Sequence, residues 1–306
     1  MAVNIATAGR PESTAALLLT REDALDAAHR LAASWQRTAA EIDAERRIPF
    51  EEVAELGRSG LLGITIPKSH GGPDLGVETL MHVFLILGQA DTALAQIPQN
   101  HFDFVDTLLH AEPDTAAFFY AEVLAGARFG NAIAEPGRKS RADLATTIVE
   151  DGDHYVLNGK KFFCTGALTA DWVPVLAKHA DGRIRTAYLP RDASGLDVQR
   201  DWDAFGQRAT FSGTTVIDNV RVPRANVVDR SLGHAGILAA QFAGNQLIHA
   251  AIEAGSALAA VRLAGQAVAR RGHHGALAER IGALAVQAEE EEKFPLGGVQ
   301  VEGAAD

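Results

Sequence analysis

The residues best suited to chemistry fall between positions 129 and 166, from Phe129-Gly130-Asn131-Ala132-Ile133-Ala134-Glu135-Pro136 to Lys161-Phe162-Phe163-Cys164-Thr165-Gly166. With Trp202 further on, they supply Asn, Thr, Trp and Gly near the ends of expected strands. Such groups suit a buried ligand whose polar edges must be met by fixed partners, because a hydrogen bond left unmade there costs about 1–3 kcal/mol. Cys164 is the single cysteine, which excludes an internal disulfide and any multi-thiolate metal site. It reads best as a small buried hydrophobe, and it fits a reducing compartment. His101 lies on an apolar stripe and is either a core histidine satisfied by a hydrogen bond or one that points into a pocket. His273-His274 are adjacent on a loop with no third ligand, so no metal site is expected. The sequence holds no GxGxxG, P-loop, HExxH or GxSxG motif.

The elements that must position these residues follow a helix, sheet, helix plan. Thr20 with Asp23 forms a capping-box pattern, and Leu25, Ala28, Leu31, Ala32, Trp35 and Ile42 recur at helical spacing behind it. Ile48-Pro49 restarts the chain into a second amphipathic helix that Gly60 ends. Leu80, Met81, Phe84 and Leu87 mark a third, beginning near Val77. Asp91 opens a further pattern through Leu94, His101, Phe104 and Leu108, which Pro98 should kink or interrupt, and Pro113 begins a last helix to about Gly126. From about Arg128 to Val228 the period becomes two. Asp151-Gly152-Asp153 and Ala180-Asp181-Gly182 are turn signals, and the strands between them should close as a small antiparallel barrel or sandwich. The helical period returns from Ala235 to about Arg270, a span of roughly 50 Å.

Length and composition suit two or three globular domains: 306 residues, 47% hydrophobic. A formal charge of -11 without any Lys/Arg block argues against nucleic acid as a partner. The start carries no secretory pattern and no later run is expected to reach membrane-spanning length, which points to a cytoplasmic protein without a membrane partner. The expected divisions are a disordered 1–19, a helical domain 20–126, a β-barrel domain 127–230, a partial C-terminal helical domain 231–292 and a tail 293–306.

These blocks together resemble the acyl-CoA dehydrogenase superfamily over about residues 20–265. The likeness is carried by Ala134-Glu135-Pro136, by Tyr155-Val156-Leu157-Asn158-Gly159-Lys160-Lys161 leading to Phe163-Cys164-Thr165-Gly166, and by Phe205-Gly206-Gln207-Arg208 before Asp218-Asn219-Val220-Arg221-Val222-Pro223. Asn131, Thr165-Gly166-Ala167, Ala170-Asp171-Trp172 and the segment from Asp201 through Gly206-Gln207-Arg208 to Ser212-Gly213-Thr214 make it most similar to the flavin-dependent monooxygenase branch. The resemblance implies a multidomain α+β fold with an N-terminal helical domain, a central antiparallel β-barrel and an incomplete C-terminal helical bundle. After about Val268 the likeness stops, as though the chain were truncated.

The implied cofactor is a flavin, FMN or FAD. The implied activity is oxygenation of a small organosulfur compound, using O2 and reduced flavin from a separate reductase. An FAD-dependent acyl-CoA dehydrogenase is the alternative, and a non-catalytic remnant acting through helix association is a third. The resemblance implies that Asn131, Ile133, Ala134, Ser140, Phe163, Cys164, Thr165, Gly166 and Arg208 meet the cofactor, with Phe163 on the ring face. Arg208 could equally sit in a surface ion pair. His101, Asn131 and Trp202 are the candidates to line the dry cavity that oxygen chemistry on a reduced flavin requires. Where dehydrogenases read Thr-Glu-Pro followed by Gly-Ser-Asp, this chain reads Ala134-Glu135-Pro136-Gly137-Arg138-Lys139-Ser140-Arg141, which favours the monooxygenase branch. A homo-oligomer, dimer or tetramer, is also implied.

Overall fold

The computed structural model describes residues 15–137, 143–230, 235–271, 279–280 and 282–284. Ser140, the changed Lys139 and Arg141, His273-His274, the 293–306 tail and most of residues 272–292 lie outside the described residues.

Among the described residues, the α-helices and strands follow the expected order. Helix α1 (Arg21–Glu45) starts where the capping box places it: Thr20 Oγ1 accepts the Asp23 N–H at 3.1 Å, and Asp23 returns a carboxylate oxygen to the Thr20 N–H at 3.0 Å. Its buried face is the predicted stripe from Ala28 to Trp35 and Ile42. Helix α2 (Phe50–Arg58) begins one residue after Pro49, and α3 (Gly76–Ala90) turns Leu80, Met81, Phe84 and Leu87 inward while Val77 faces out. Pro98 divides the next pattern into α4 (Thr92–Gln96) and α5 (Gln99–Thr107), because proline cannot donate to the helical ladder. Helix α6 (Pro113–Leu124) takes its proline at the first turn.

The strands are β1 (Thr147–Asp151), β2 (His154–Lys161), β3 (Trp172–His179), β4 (Ile184–Pro190), β5 (Leu196–Val198), β6 (Thr215–Pro223) and β7 (Val227–Asp229). Both predicted hairpins form, pairing β1 with β2 and β3 with β4. The predicted closed barrel does not. The sheet is open, in the order β5-β6-β2-β1-β3-β4-β7, and β1 meets β3 in parallel. Alternation of side chains reports which residues face inward, not whether the first and last strands meet. Here the outer strands are only three residues long, a length that limits edge-to-edge pairing. Residues 129–134 run beside the sheet through isolated bridges, Phe129 to Trp172, Ala132 to Val175 and Ala134 to Phe162.

Aromatic rings weld the helical layer to the sheet. Phe119 of α6 lies 5.0 Å from Trp172 and 4.6 Å from Tyr188, and Phe129 lies 5.2 Å from Tyr188. Such pairs contribute about 0.5–1.5 kcal/mol each beyond the area they bury. Each polar tip finds a partner: Tyr188 donates to the Phe104 carbonyl at 2.7 Å and Trp172 Nε1 to Glu122 at 3.2 Å. The block carrying the candidate residues is therefore fixed from behind.

Helix α7 (Ala235–Arg271) is long, as the returning period predicted. Contrary to the expectation that no run reaches membrane-spanning length, its segment Ala243–Arg270 is long and apolar enough to cross a membrane by length and composition. In this fold it rests on α3 along glycines: a Cβ on Gly88 would come 2.6 Å from the Ile252 carbonyl, and one on Gly255 2.3 Å from that of Leu85. Thr92 Oγ1 donates to Ser256 Oγ at 3.0 Å beside this seam.

Candidate functional site

A cleft of about 450 Å³ opens where α4, the residues after β2 and the segment between β5 and β6 converge. Gln96, Phe163, Thr165, Trp202, Gln207, Thr210 and Ser212 line it. Three non-glycine residues around it have left-handed backbone: Phe163 at φ 52°, Gln207 at 52° and Phe211 at 45°. Each such residue costs on the order of 1–3 kcal/mol, and it persists only where the surroundings enforce it.

The enforcing bonds are explicit. The Phe163 carbonyl accepts the Asn131 side-chain amide at 3.3 Å and the Thr165 N–H at 2.8 Å. This leaves the Phe163 ring 64% exposed over the cleft, edge-on to Trp202 at 6.2 Å between centroids. Asp201 straps the far side: its carboxylate accepts the Thr214 hydroxyl at 2.6 Å and the Thr214 N–H at 2.7 Å, which lower its pKa from the ordinary aspartate value. Trp202 then donates Nε1 to the Gln207 carbonyl at 3.1 Å.

Hydroxyls connect across the floor. Thr165 Oγ1 and Ser212 Oγ lie 2.8 Å apart, Ser212 donates to Thr210 Oγ1 at 2.8 Å, and Thr210 donates to the Gln207 carbonyl at 2.9 Å. Three amide oxygens of this region, Gln96 Oε1, Asn131 Oδ1 and Gln207 Oε1, are buried without a hydrogen-bond partner. Orphaned acceptors of this kind are expensive, and a bound ligand with donors would satisfy them.

Behind the cleft, His101 and Arg128 brace the two signature segments. His101 is fully buried; its Nδ1 accepts the Phe129 N–H at 3.0 Å, so Nε2 carries the proton toward the Leu62 carbonyl at 3.1 Å. Burial pushes its pKa down to about 3, against the favourable Leu62 bond, and nearby Arg128 adds to the fall. Both ring nitrogens are thus committed to backbone. Arg128, 1% exposed, donates to the Gly166 carbonyl and the Thr169 hydroxyl, both at 2.7 Å. Burial lowers its pKa to about 10, with Asp171 opposing. A Cβ on Gly166 would meet this guanidinium at 2.7 Å, and its φ of 71° also requires glycine.

A second buried charge pair holds the other end of the strand. Lys161 is fully buried and donates to Glu135 at 2.6 Å, while the same carboxylate accepts the Ala145 N–H at 2.6 Å and the Thr146 N–H at 3.1 Å. Burial raises the Glu135 pKa, but these partners, Lys161 foremost, overcome it and bring it down to about 2.

The structure brings Asn131, Phe163, Thr165 and Trp202 together around the cleft and its wall. It does not bring His101 there, because that ring is enclosed by Phe102 and Phe129 in the core. Ile133 and Ala134 belong to the bridged strand, and the Ile133 carbonyl lies 3.4 Å from Lys161 Nζ. Cys164 turns into the sheet core, where burial pushes its thiol up to about 11. Gly166 turns back toward Arg128, and Arg208 pairs with Asp43 through Nε at 2.9 Å. Among the described residues, no group of three or more His, Cys, Asp or Glu side chains could hold a metal ion.

Sequence reasoning missed Gln96, Arg128 and the structural roles of Glu135 and Lys161. The last two had a signal: a lysine inside an alternating strand needs a buried counter-charge, and the nearby acid of the Glu-Pro pair is the natural candidate. Gln96 and Arg128 had none, since nothing local distinguishes a half-buried amide or a strand-edge arginine.

The acyl-CoA dehydrogenase N-terminal domain model matches residues 20–114, and the acyl-CoA dehydrogenase middle domain model matches residues 130–220. The chain belongs to the acyl-CoA dehydrogenase family. Within that family it is similar to a dibenzothiophene monooxygenase of Rhodococcus qingshengii, 31% identical over 208 residues that make 65% of this chain and 50% of that protein. It is also similar to a putative acyl-CoA dehydrogenase, YdbM, of Bacillus subtilis (strain 168), 30% identical over 216 residues, 68% of this chain and 56% of that protein. Among solved structures, FMN-bound TdsC from Paenibacillus sp. A11-2 superposes with a TM-score of 0.75 at 28% identity, covering 88% of this chain and 74% of that one. The chain spans about half the length of the curated relatives it matches.

Proposed function

We propose that this chain is the flavin-binding part of a reduced-flavin monooxygenase that oxygenates a small organosulfur compound, with FMN as the cofactor. The observation that carries this reading is the cleft itself: an exposed aromatic face, Phe163, next to a hydroxyl, Thr165, above buried amide oxygens that lack donors. A volume of about 450 Å³ falls in the range of small-molecule sites. The likeness to dibenzothiophene monooxygenase and to FMN-bound TdsC supports the choice of cofactor and substrate class.

In this reading each group has a task. A bound flavin supplies two-electron chemistry and, once reduced, activates O2. Phe163 packs on the ring face, and Asn131 keeps Phe163 in its left-handed conformation by holding its carbonyl. Thr165 meets the polar edge of the ring, backed by Ser212. Trp202 and Phe205 cover the mouth and keep water from the reacting centre, which protects reactive states from side reactions. His101 acts at a distance, by locking the Phe129 N–H and so the start of the strand that carries Asn131. A separate flavin reductase delivers the reduced cofactor, the protein works in the cytoplasm, and the exposed apolar surface of α7 joins a second copy in a homo-oligomer.

Titration of the purified chain with FMN and with FAD, followed by flavin fluorescence, tests the cofactor. Oxygen uptake with a reductase, NADH, FMN and an organosulfur compound tests the reaction. The expected result is FMN binding and sulfur-dependent oxygen uptake. Anaerobic bleaching of bound FAD by an acyl-CoA would favour the dehydrogenase activity suggested by the likeness to YdbM, and failure to bind either flavin would sink both.

A further inference from the structure

The segment from Asp201 to Arg208 supplies Trp202, Phe205 and Gln207 to the cleft lining, yet its crest is poorly packed: Phe205 stands fully exposed, and a Cβ on Gly206 would meet nothing within 4 Å. Its base is closed by the bond from Trp202 to the Gln207 carbonyl and by the Asp201 grip on Thr214. The crest is carried by charge, and both partners stand at the C-terminal end of α1. Arg46 Nη1 donates to Asp203 Oδ1 at 2.6 Å and Nη2 to the Ala204 carbonyl at 3.5 Å, while Arg208 donates to the Asp43 carboxylate, through Nε at 2.9 Å. Arg208 foremost, with Arg46 adding to it, holds the Asp43 carboxyl below the ordinary aspartate value against a smaller effect of burial, so Asp203, Arg46, Asp43 and Arg208 form one alternating row. The last turn of α1 has no basic residue of its own, and cations are favoured at that end of a helix. All four side chains reach solvent, where such a pair shifts an equilibrium by no more than about five-fold and salt screens it.

We infer that this row of four charges is an ionic latch that holds the strap of residues 201–208 across the cleft mouth, and that its opening sets how fast a ligand enters and leaves. The inference rests on the reading of the cleft as a flavin site and adds a control over access to it. Asp43 and Arg46 touch no lining residue except through the strap's own backbone and charges, so they act on the ligand only by positioning Trp202 and Phe205. A latch of this strength is closed most of the time at low ionic strength and yields readily, which suits a ligand that must exchange between turnovers.

Two readouts test this on the full chain. Trp35 and Trp172 are buried and Trp202 sits in the strap, so quenching of tryptophan fluorescence by acrylamide, a neutral probe, follows the latch without any ligand. Stopped-flow binding of lumiflavin, an uncharged isoalloxazine, follows access to the cleft without charge attraction between probe and protein. Raising KCl from about 0.01 M to about 1 M should increase the quenching and speed lumiflavin entry and exit together, by about two- to five-fold. At low salt, Arg46→Ala or Asp43→Asn should reproduce that rise and remove most of the response to salt, and either variant serves if the other does not fold by circular dichroism. Exchanging the charges, Arg46→Asp with Asp203→Arg, should restore the slow rates, which a merely structural loss would not allow. Quenching and rates indifferent to salt and to a folded variant overturn the inference, as does quenching that rises while the lumiflavin rates stay fixed. Failure of lumiflavin to bind overturns the flavin reading and leaves the latch to stand or fall on the quenching.

Discussion

Lys161→Met would expose how much of the signature strand depends on one buried charge pair. Lys161 is fully enclosed and the Glu135 side chain is 5% exposed, so removing the ammonium strands a carboxylate that keeps only its backbone donors. Breaking such a pair from one side costs about 3–5 kcal/mol. The carboxyl's fall from 4.5 to about 2 gives a consistent scale, about 3 kcal/mol at roughly 1.4 kcal/mol per tenfold. Because the native value is depressed, this stability is complete above about pH 4.5 and is lost as pH falls toward 2. In Lys161→Met, burial acts on Glu135 with less opposition, so its native value rises back toward 4.5 and the share of the acid loss that it causes should shrink. Urea unfolding followed by tryptophan fluorescence at pH 7, repeated down to about pH 3, measures both effects. Adding Glu135→Gln to the variant should recover much of the loss, since the stranded charge is gone. A loss below about 1 kcal/mol, the range of an exposed pair, with an unchanged acid loss, would refute this account.

Three further outcomes follow from the geometry. His101, depressed from 6.5 to about 3, is neutral in the native state, so its contribution is complete above pH 6.5 and falls as pH drops, by about 2 kcal/mol at pH 5; His101→Phe should flatten this part of the stability profile in urea melts. Gly255→Val should lift α7 from α3, costing about 1–3 kcal/mol by overpacking, and limited proteolysis should then cut within 235–271 while the sheet's circular dichroism persists. Cys164 should resist a thiol reagent at pH 8 in the native chain and react fully in urea, since its thiol is buried and held near 11; rapid native labelling would contradict its place in the sheet core.

Much of the helical layer was legible because its signals are local. Thr20 and Asp23 announce a helix start, Pro98 a break and Asp181-Gly182 a hairpin, each through bonds made within a few residues. Closure of the sheet was not, because it depends on whether Leu196–Val198 and Val227–Asp229 meet, and no local pattern records that distance. The site shows the same division. Asn131, Phe163, Thr165 and Trp202 came from the family likeness and do gather at one cleft, whereas His101 was ambiguous from its stripe alone and proved to be enclosed. Arg128 acts through the distant Gly166, and Gln96 is held by Gln99, which in turn donates to the Asn245 carbonyl of α7, so their roles exist only after folding.

The carboxylate of Glu135 grips the amides of Ala145 and Thr146, drawing together the points where the chain leaves the signature strand and rejoins the sheet. That knot is tied through backbone amides, so the grip asks for the Glu135 carboxylate and for no particular side chain at position 145.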